Sequence, residues 1–497
     1  MAAISVIGSG FSGLSAACFA AAQGHKVTIW DKHAQSGGRA RLLEAGGFRF
    51  DMGPSWYWMP DVFDDFFAYF GKQTSDYYEL RRLDPGFQII FGQGETLAVP
   101  ADPGALTDLF EQTEKGSGNR LRAFLQEAAY KYALSMQRFI YQPSLSWLEY
   151  ARRDVLNGWL KTSMIKPMST HVRKYFKDPR LLALLEFPVL FLGAMPDKIP
   201  ALYSLMNHAA LTQGTFYPMG GMHRIVTAME DLAISLGVQF KRNTEVERLI
   251  IKDKKVTGLE SAAGIAAADA LIASGDYQYM EQQLLPEQYR NYSPEYWDKK
   301  TMAPSSLIFY IGVRKQLPRL QHHNLFFDTD FQQHAVAIYE KPQWPEDPLF
   351  YVCCPSKTDH SVAPDGMENL FVLVPVAAGL DDTEDIRKQY LPGIIKRIEA
   401  FCGVAFRQDI IFEQSYSLRN FREDYHAYKG NAYGLANTLR QTAVLKPSVL
   451  NKKVANLFYA GQLTVPGPGV PPALISGRIA AGQLKKYFKR HTYEAAF

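Results

Sequence analysis

Cysteine is scarce, with Cys18, Cys353, Cys354 and Cys402 the four in 497 residues. Their spacing matches neither a disulfide framework nor a metal-ligand set. Neighbouring Cys353 and Cys354 lie in a strand-like run and point to opposite faces. An oxidising compartment is therefore not expected, and the cytosol is. No run approaches the ~18 uncharged residues of a membrane-spanning helix. No secretory leader is expected either, because the apolar opening is a strand interrupted by Gly8 and Gly10. One-signed charge is lacking as well; the net value is +4. No Ser-His-Asp set, metal cluster or paired-carboxylate motif stands out. Catalytic side chains are left unassigned and no metal is expected. Repeats and low-complexity tracts are absent.

What is present begins at the first residues. The strand Ile4 to Ile7 runs into Gly8-Ser-Gly10-Phe-Ser-Gly13, then a small-residue helix, then a strand from Val27 to Trp30 that ends at Asp31. Gly8 permits a tight turn, Gly10 keeps a side chain off a pyrophosphate, and Gly13 lets the helix pack closely on the sheet. Free N–H groups at the helix start hold phosphate oxygens. Asp31, 18 positions beyond Gly13, is placed to accept hydrogen bonds from ribose hydroxyls. Strand, turn, helix, strand and acid in this order predict a dinucleotide-binding unit and a redox enzyme. Gly37-Gly38 is a flexible turn, and Arg39 and Arg41 after it are placed to reach the pyrophosphate or a flavin edge. Phe48 to Asp51 is a strand, followed by the rigid bend Met52-Gly53-Pro54-Ser55.

The chain contains 31 Phe, 27 Tyr and 7 Trp, enough for a large apolar ligand or a large core. From Arg152 to Arg180 there are eight Lys or Arg and two acids, mixed with Trp147, Tyr150, Trp159, Met164, Ile165 and Tyr175. Such a segment suits an anionic lipid surface. The following run, Leu181 to Leu185 and Phe187 to Gly193, is too short to cross a bilayer and contains Pro188; it dips into one leaflet or is buried core. A nucleic-acid surface shares the charge but not the apolar run, so no nucleic-acid partner is expected. His322-His323 beside Leu325-Phe-Phe327 reads as a surface turn rather than a metal-ligand pair. His208 and Asp197 read as structural or surface residues.

The expected architecture is α/β: a Rossmann-like cofactor domain assembled from discontinuous segments, a mixed β-sheet substrate domain and a helical membrane-associating region. The cofactor pieces are residues 1–80, 217–285 and 427–497. Residues 81–216 are largely helical and membrane-associating, and residues 286–426 are a β-rich substrate domain. Near the C-terminus, Leu457 to Gly461 is a strand delivering a glycine, followed by Pro466-Gly-Pro-Gly469-Val-Pro-Pro472 and a helix beginning near Ala473. N–H groups at that helix start would stabilise negative charge on a reduced flavin. The reading is a cofactor closed between both chain ends.

These motifs together resemble the FAD-dependent carotenoid desaturases of the bacterial phytoene desaturase type, within the flavin amine-oxidase-like superfamily. The quoted signatures are Val6 to Leu14, Asp31 with Gly37 to Arg41, Phe50 to Ser55, Tyr217-Pro-Met-Gly-Gly-Met222, Tyr459 to Gly461 and Pro466 to Pro471. The family often has Glu where Asp31 stands. The resemblance implies FAD held by Gly8, Gly10, Gly13, Asp31, Lys32, Gly38, Arg39, Gly53, Pro54, Ser55, Val246, Gly461, Gly469 and Val470, with the Val246 backbone at the adenine. It implies hydride transfer from a long apolar polyene to flavin N5, with loss of a proton. Phytoene converted toward neurosporene or lycopene is the first expected substrate. A later carotenoid, such as a hydroxycarotenoid or the substrate of a 3,4-desaturase, is the alternative, and a flavin amine oxidase the distant one. Oxygen or a membrane quinone is the implied electron acceptor. The implied location is the cytoplasmic face of the cell membrane, held peripherally or monotopically.

Overall fold

A computed structural model describes residues 1–150, 162, 164–190 and 192–494. Two sheets organise it. The first is parallel, with strands in the order Leu457–Tyr459, Ala270–Ala273, Ala3–Ile7, Lys26–Trp30, Gln239–Lys241. Parallel neighbours need crossovers, and the first crossover is the helix Phe11–Ala22. Apart from Phe11, Leu14 and Phe19 its residues are Ala, Ser, Gly and Cys, which lets it be buried over nearly its whole length. The helices His223–Ser235 and Val470–Glu494 pack on it.

The closest approach in this layer involves two glycines. A Cβ on Gly13 would lie 1.9 Å from the Gly8 carbonyl oxygen, and one on Gly477 would lie 2.2 Å from that of Ser12. The helices at the two ends of the chain therefore meet backbone to backbone. The Ser15 hydroxyl donates to the Leu474 carbonyl at 2.7 Å across the same contact.

The second sheet has seven strands, ordered Ile410–Tyr416, Ser305–Val313, Glu368–Val376, Phe350–Cys353, His323–Phe327, Phe87–Phe91, Thr96–Val99. Both of its faces are covered, which explains why its central strands are apolar throughout. Leu307, Phe309, Val372 and Val374 face the helix Glu384–Cys402 through Ile394, Ile395 and Ile398. Ile308, Tyr310, Tyr351 and Leu373 face the other way. Cys353 and Cys354 point to opposite faces, and all four cysteines are free and buried.

The apolar run after Arg180 is core. In the helix Pro179–Leu190, the side chains of Leu181, Leu184, Leu185, Phe187 and Val189 are buried against the second sheet's inner face. Arg152, Arg153 and Trp159 of the basic segment lie outside the described residues. Among the described residues, no helix is long and apolar enough to cross a membrane.

The backbone contact at Gly477 gives a paired test within one helix. Gly477→Ala must push two helices apart and should cost about 1–3 kcal/mol. A Cβ at Gly482 meets nothing within 4 Å, so Gly482→Ala should gain roughly 0.5–1 kcal/mol from helix propensity. Denaturant unfolding of the two variants measures both; equal effects would contradict the packing.

Candidate functional site

Both chain ends open onto one large cavity of about 730 Å³. Of the residues implicated in cofactor binding by resemblance, all but Gly13 line it: Gly8, Gly10, Asp31, Lys32, Gly38, Arg39, Gly53, Pro54, Ser55, Val246, Gly461, Gly469 and Val470. Gly13 sits behind the turn, pressed against the Gly8 carbonyl. Thus it closes the turn on itself as well as helping the helix approach the sheet.

The turn is shaped by backbone requirements. Gly8 has φ +96°, a conformation that side chains disfavour. A Cβ on Gly10 would find its nearest neighbour, the Gly37 carbonyl oxygen, 3.9 Å away. The space over Gly10 is therefore an open cradle at the start of a helix whose first N–H groups have no intrahelical acceptor. Asp31 steadies this turn. Its carboxylate accepts from the Ser9 backbone N–H at 2.7 Å, the Ser9 hydroxyl at 2.6 Å and the His33 N–H at 2.8 Å. Lys32 donates to the Glu423 carbonyl at 2.7 Å.

Arg39 and Arg41 have different surroundings. Arg41 is tied by an ion pair to Asp424 and by a 3.2 Å hydrogen bond to the Tyr425 hydroxyl; it is not among the cavity-lining residues. Arg39 lines the cavity and lies deep in the fold, with Nη2 donating to the Asn431 carbonyl at 3.2 Å and Nε without a partner. Burial pulls its pKa down, and Asp276 and the tyrosines Tyr425 and Tyr416 oppose that pull. A buried guanidinium with an unused donor, beside an open glycine cradle, fits a bound anion such as a pyrophosphate. Bringing Gly53 alongside needs its hydrogen side chain, because a Cβ there would be 2.6 Å from the Arg39 carbonyl oxygen.

At the C-terminal turn the finding differs from expectation. The helix begins at Val470, not near Ala473. Pro471 and Pro472 thus fall inside its first turn, where a missing N–H is tolerated. They supply no donors, and the Ala473 N–H is spent on the Gly469 carbonyl at 3.0 Å. The Gly461 N–H is likewise taken, by the Ser476 hydroxyl at 3.0 Å. The donors at this helix start are therefore fewer than the sequence suggests.

Away from the glycine turns the cavity becomes apolar, walled by Trp56, Trp58, Leu192, Ile308, Leu373 and Tyr433. The carboxylates lining the cavity are Asp31, Glu245, Asp276 and Asp424, and each is engaged by the protein: Glu245 by His426, Asp276 by the Tyr279 and Tyr428 N–H groups, Asp424 by Arg41. At its mouth stand Trp147, Ile165 and Leu439, which are 58%, 53% and 49% exposed. Leu148 beside them is 80% exposed. Lys166 and Arg440 flank these residues on the surface. The 432–443 segment thus supplies cavity wall and part of the rim, and sequence reasoning missed it. It has no helical or alternating period to reveal it.

His322 and His323 correct another expectation. They are buried, not part of a surface turn. His323 stacks on Trp56 with ring centroids 4.1 Å apart, and its Nδ1 lies 2.6 Å from the Tyr351 hydroxyl, which donates to Ser55 Oγ at 3.0 Å. Burial holds both imidazoles neutral. With Cys353 they form a cluster whose ligand atoms lie within 4.8 Å of one another.

Lys446 is a buried cation behind the proline-glycine turn, and no partner satisfies its Nζ. Desolvation, reinforced by Lys300, lowers its pKa from 10.5 to about 7. Within that pH window the unfolded chain binds the additional proton, so this residue makes stability rise as pH increases from about 7 toward the ordinary lysine range. Lys446→Met should flatten that rise and stabilise the protein most at or below neutral pH. Urea midpoints measured across the window test this; a parallel rise in both proteins would refute it.

The sequence model of the flavin containing amine oxidoreductase family matches residues 11–485. A carotenoid 3,4-desaturase of Haloarcula japonica is 42% identical over 97% of this chain and 97% of that protein. A 4,4'-diapophytoene desaturase (4,4'-diaponeurosporene-forming) of Staphylococcus aureus is 30% identical over 97% of this chain and 98% of its own length. Among solved structures, an oxidoreductase from Methanosarcina mazei superposes with TM-score 0.63 at 15% identity, covering 96% of this chain and 99% of that one; that likeness concerns the fold alone.

Proposed function

The chain belongs to the flavin-containing amine oxidoreductase family, in its carotenoid-desaturase branch, and on that premise we propose that it desaturates a long carotenoid chain with FAD. It is an FAD-dependent oxidoreductase, related at family level to carotenoid and phytoene desaturases. The finer reading concerns the substrate. The relative at 42% identity is named a carotenoid 3,4-desaturase, which favours an already conjugated carotenoid dehydrogenated at the corresponding bond. Phytoene is the second reading, supported by the more distant diapophytoene desaturase.

One observation carries the proposal: a single cavity joins the glycine cradle and Arg39 to an apolar limb whose mouth is ringed by exposed apolar side chains. A hydrocarbon offers no charge to grip, so its binding relies on burial, worth about 0.8 kcal/mol per CH₂. The limb's Trp56, Ile308 and Leu373 provide such a surface. A cationic amine would need an available carboxylate there, and the cavity's carboxylates are already engaged.

In this reading residues 1–80, 217–285 and 427–497 build a Rossmann-like FAD-binding domain; residues 286–426 supply five strands of the substrate sheet; residues 81–216 supply its strands Phe87–Phe91 and Thr96–Val99, the core helix Pro179–Leu190 and the membrane-associating part. Gly8, Gly10 and Gly38 leave room for the pyrophosphate, Arg39 neutralises it, and the Val246 backbone receives the adenine. Asp31 serves the ribose through whichever acceptor capacity its turn contacts leave. Bound FAD supplies hydride acceptance, the chemistry that removes one of the two hydrogens; the other leaves as a proton. The apolar walls exclude water, and Trp56 and Tyr351 confine the chain laterally. Trp147, Ile165 and Leu439 rest in the lipid headgroup zone of the anionic cytoplasmic leaflet, with Lys166 and Arg440 at the phosphates. Electrons pass on to oxygen or a membrane quinone.

Expression in cells that accumulate either phytoene or lycopene tests the substrate. The expected result is new, longer-wavelength pigment from lycopene-type chains and little from phytoene; the reverse would restore the phytoene reading, and no pigment from either would end the proposal. Arg39→Met and Gly10→Val should each lower bound flavin at least tenfold without loss of folded protein, as read by absorbance per chain. Serine in place of Trp147, Leu148 and Leu439 together should reduce sedimentation with anionic vesicles severalfold even in high salt, since the lost contact is apolar. Unchanged sedimentation would place the lipid contact elsewhere.

A further inference from the structure

A second, smaller cavity of about 50 Å³ lies behind the apolar limb. Phe187, Leu190, Phe327, Phe331 and Tyr339 are among its walls. At that size it has room for about four water-sized groups, and a space so apolar stays dry and takes hydrocarbon instead. Three side chains, Tyr351, Leu373 and Tyr433, line both cavities and so form the partition between them.

The three are held differently. Tyr351 is fixed by its hydroxyl, which contacts His323 at 2.6 Å and Ser55 at 3.0 Å. Leu373 belongs to the interior strand Glu368–Val376 and is buried there. Tyr433 stands on the irregular stretch between Gly430 and Leu435, beside Gly434 at φ +80°. Its ring is the part of the partition that no regular element carries.

We propose that Tyr433 is the end stop of the polyene limb: its ring fixes how far the chain end enters, and thereby which carbon–carbon bond is presented for desaturation. The inference rests on the carotenoid reading above and adds to it the residue that sets bond position. An apolar chain in an apolar limb has no hydrogen bond to fix its depth. Depth must come from the mouth, where the lipid ends, or from a wall at the far end. Tyr351, Leu373 and Tyr433 form a wall between the limb and the second apolar cavity. Removing the ring joins the two spaces and lets the chain end slide inward.

The test compares the parent enzyme with Tyr433→Ala and Tyr433→Phe, each loaded with FAD, on the polyene that the parent desaturates. Products are resolved by chromatography, absorption and mass. In Tyr433→Ala the share of product whose new double bond lies farther from the chain end should rise at least fivefold, or, where that bond is already double, product should fall at least fivefold; Tyr433→Phe should match the parent. An unchanged product pattern in a Tyr433→Ala enzyme with full flavin overturns the end stop. So does an equal change in Tyr433→Phe, which keeps the ring. If Tyr433→Ala does not hold flavin, Leu373→Ala, which thins the same partition, carries the same expectation. A parent enzyme that desaturates no polyene overturns the functional reading itself, and the end stop falls with it.

Discussion

Two helices from opposite ends of the chain touch without side chains between them. Gly477 leaves no room for a Cβ against the Ser12 carbonyl, and the closure of the candidate site depends on that contact. It brings the turn from Gly8 to Gly13 and the turn from Gly461 to Gly469 to the two sides of one cavity. The parallel sheet prepares this, because Ile7, Ala273 and Tyr459 pair in one register and end at the same edge. The helix after the second turn then docks at backbone distance and closes the two turns on each other.

From that junction the cavity changes character along its length. Near the glycine turns, polar backbone and the deeply placed Arg39 suit an anionic cofactor. Farther along, the inner face of the seven-stranded sheet supplies Ile308, Tyr351 and Leu373. The alternation of each strand decides this: Ile308 turns to the cavity side because Leu307 and Phe309 pack on the helix Glu384–Cys402. The proposed redox cofactor and hydrocarbon would thus share one space while resting on different architecture. The apolar rim then gives that space an entrance suited to a lipid-dissolved substrate.

Much of this was legible in the chain itself. A strand, glycine turn, helix and terminal acid have a fixed spacing, so Gly8, Gly10, Asp31 and Arg39 were identified from local pattern. Arg39 was favoured over Arg41 as the cofactor's arginine, and only folding shows why: Asp424, nearly 400 positions later, claims the second one. The histidines His322 and His323 looked like a surface turn; they are buried because Trp56 and Tyr351 cover and bond His323, while Tyr217 and Thr358 do the same for His322. Pro471 and Pro472 marked a turn by their usual preference and instead entered a helix, which a first-turn position allows. Tyr433 and Leu439 were invisible, because irregular backbone carries no period.

The account's central claim is that one cavity holds the flavin and the polyene in reacting contact. Anaerobic mixing of the FAD-loaded enzyme with anionic vesicles containing the carotenoid tests it most directly, in a single turnover followed by absorbance. The account predicts that the yellow flavin band bleaches at the same rate as the longer-wavelength polyene bands appear, one flavin for each new double bond. Flavin that stays oxidised with the carotenoid but bleaches with a simple diamine would contradict it.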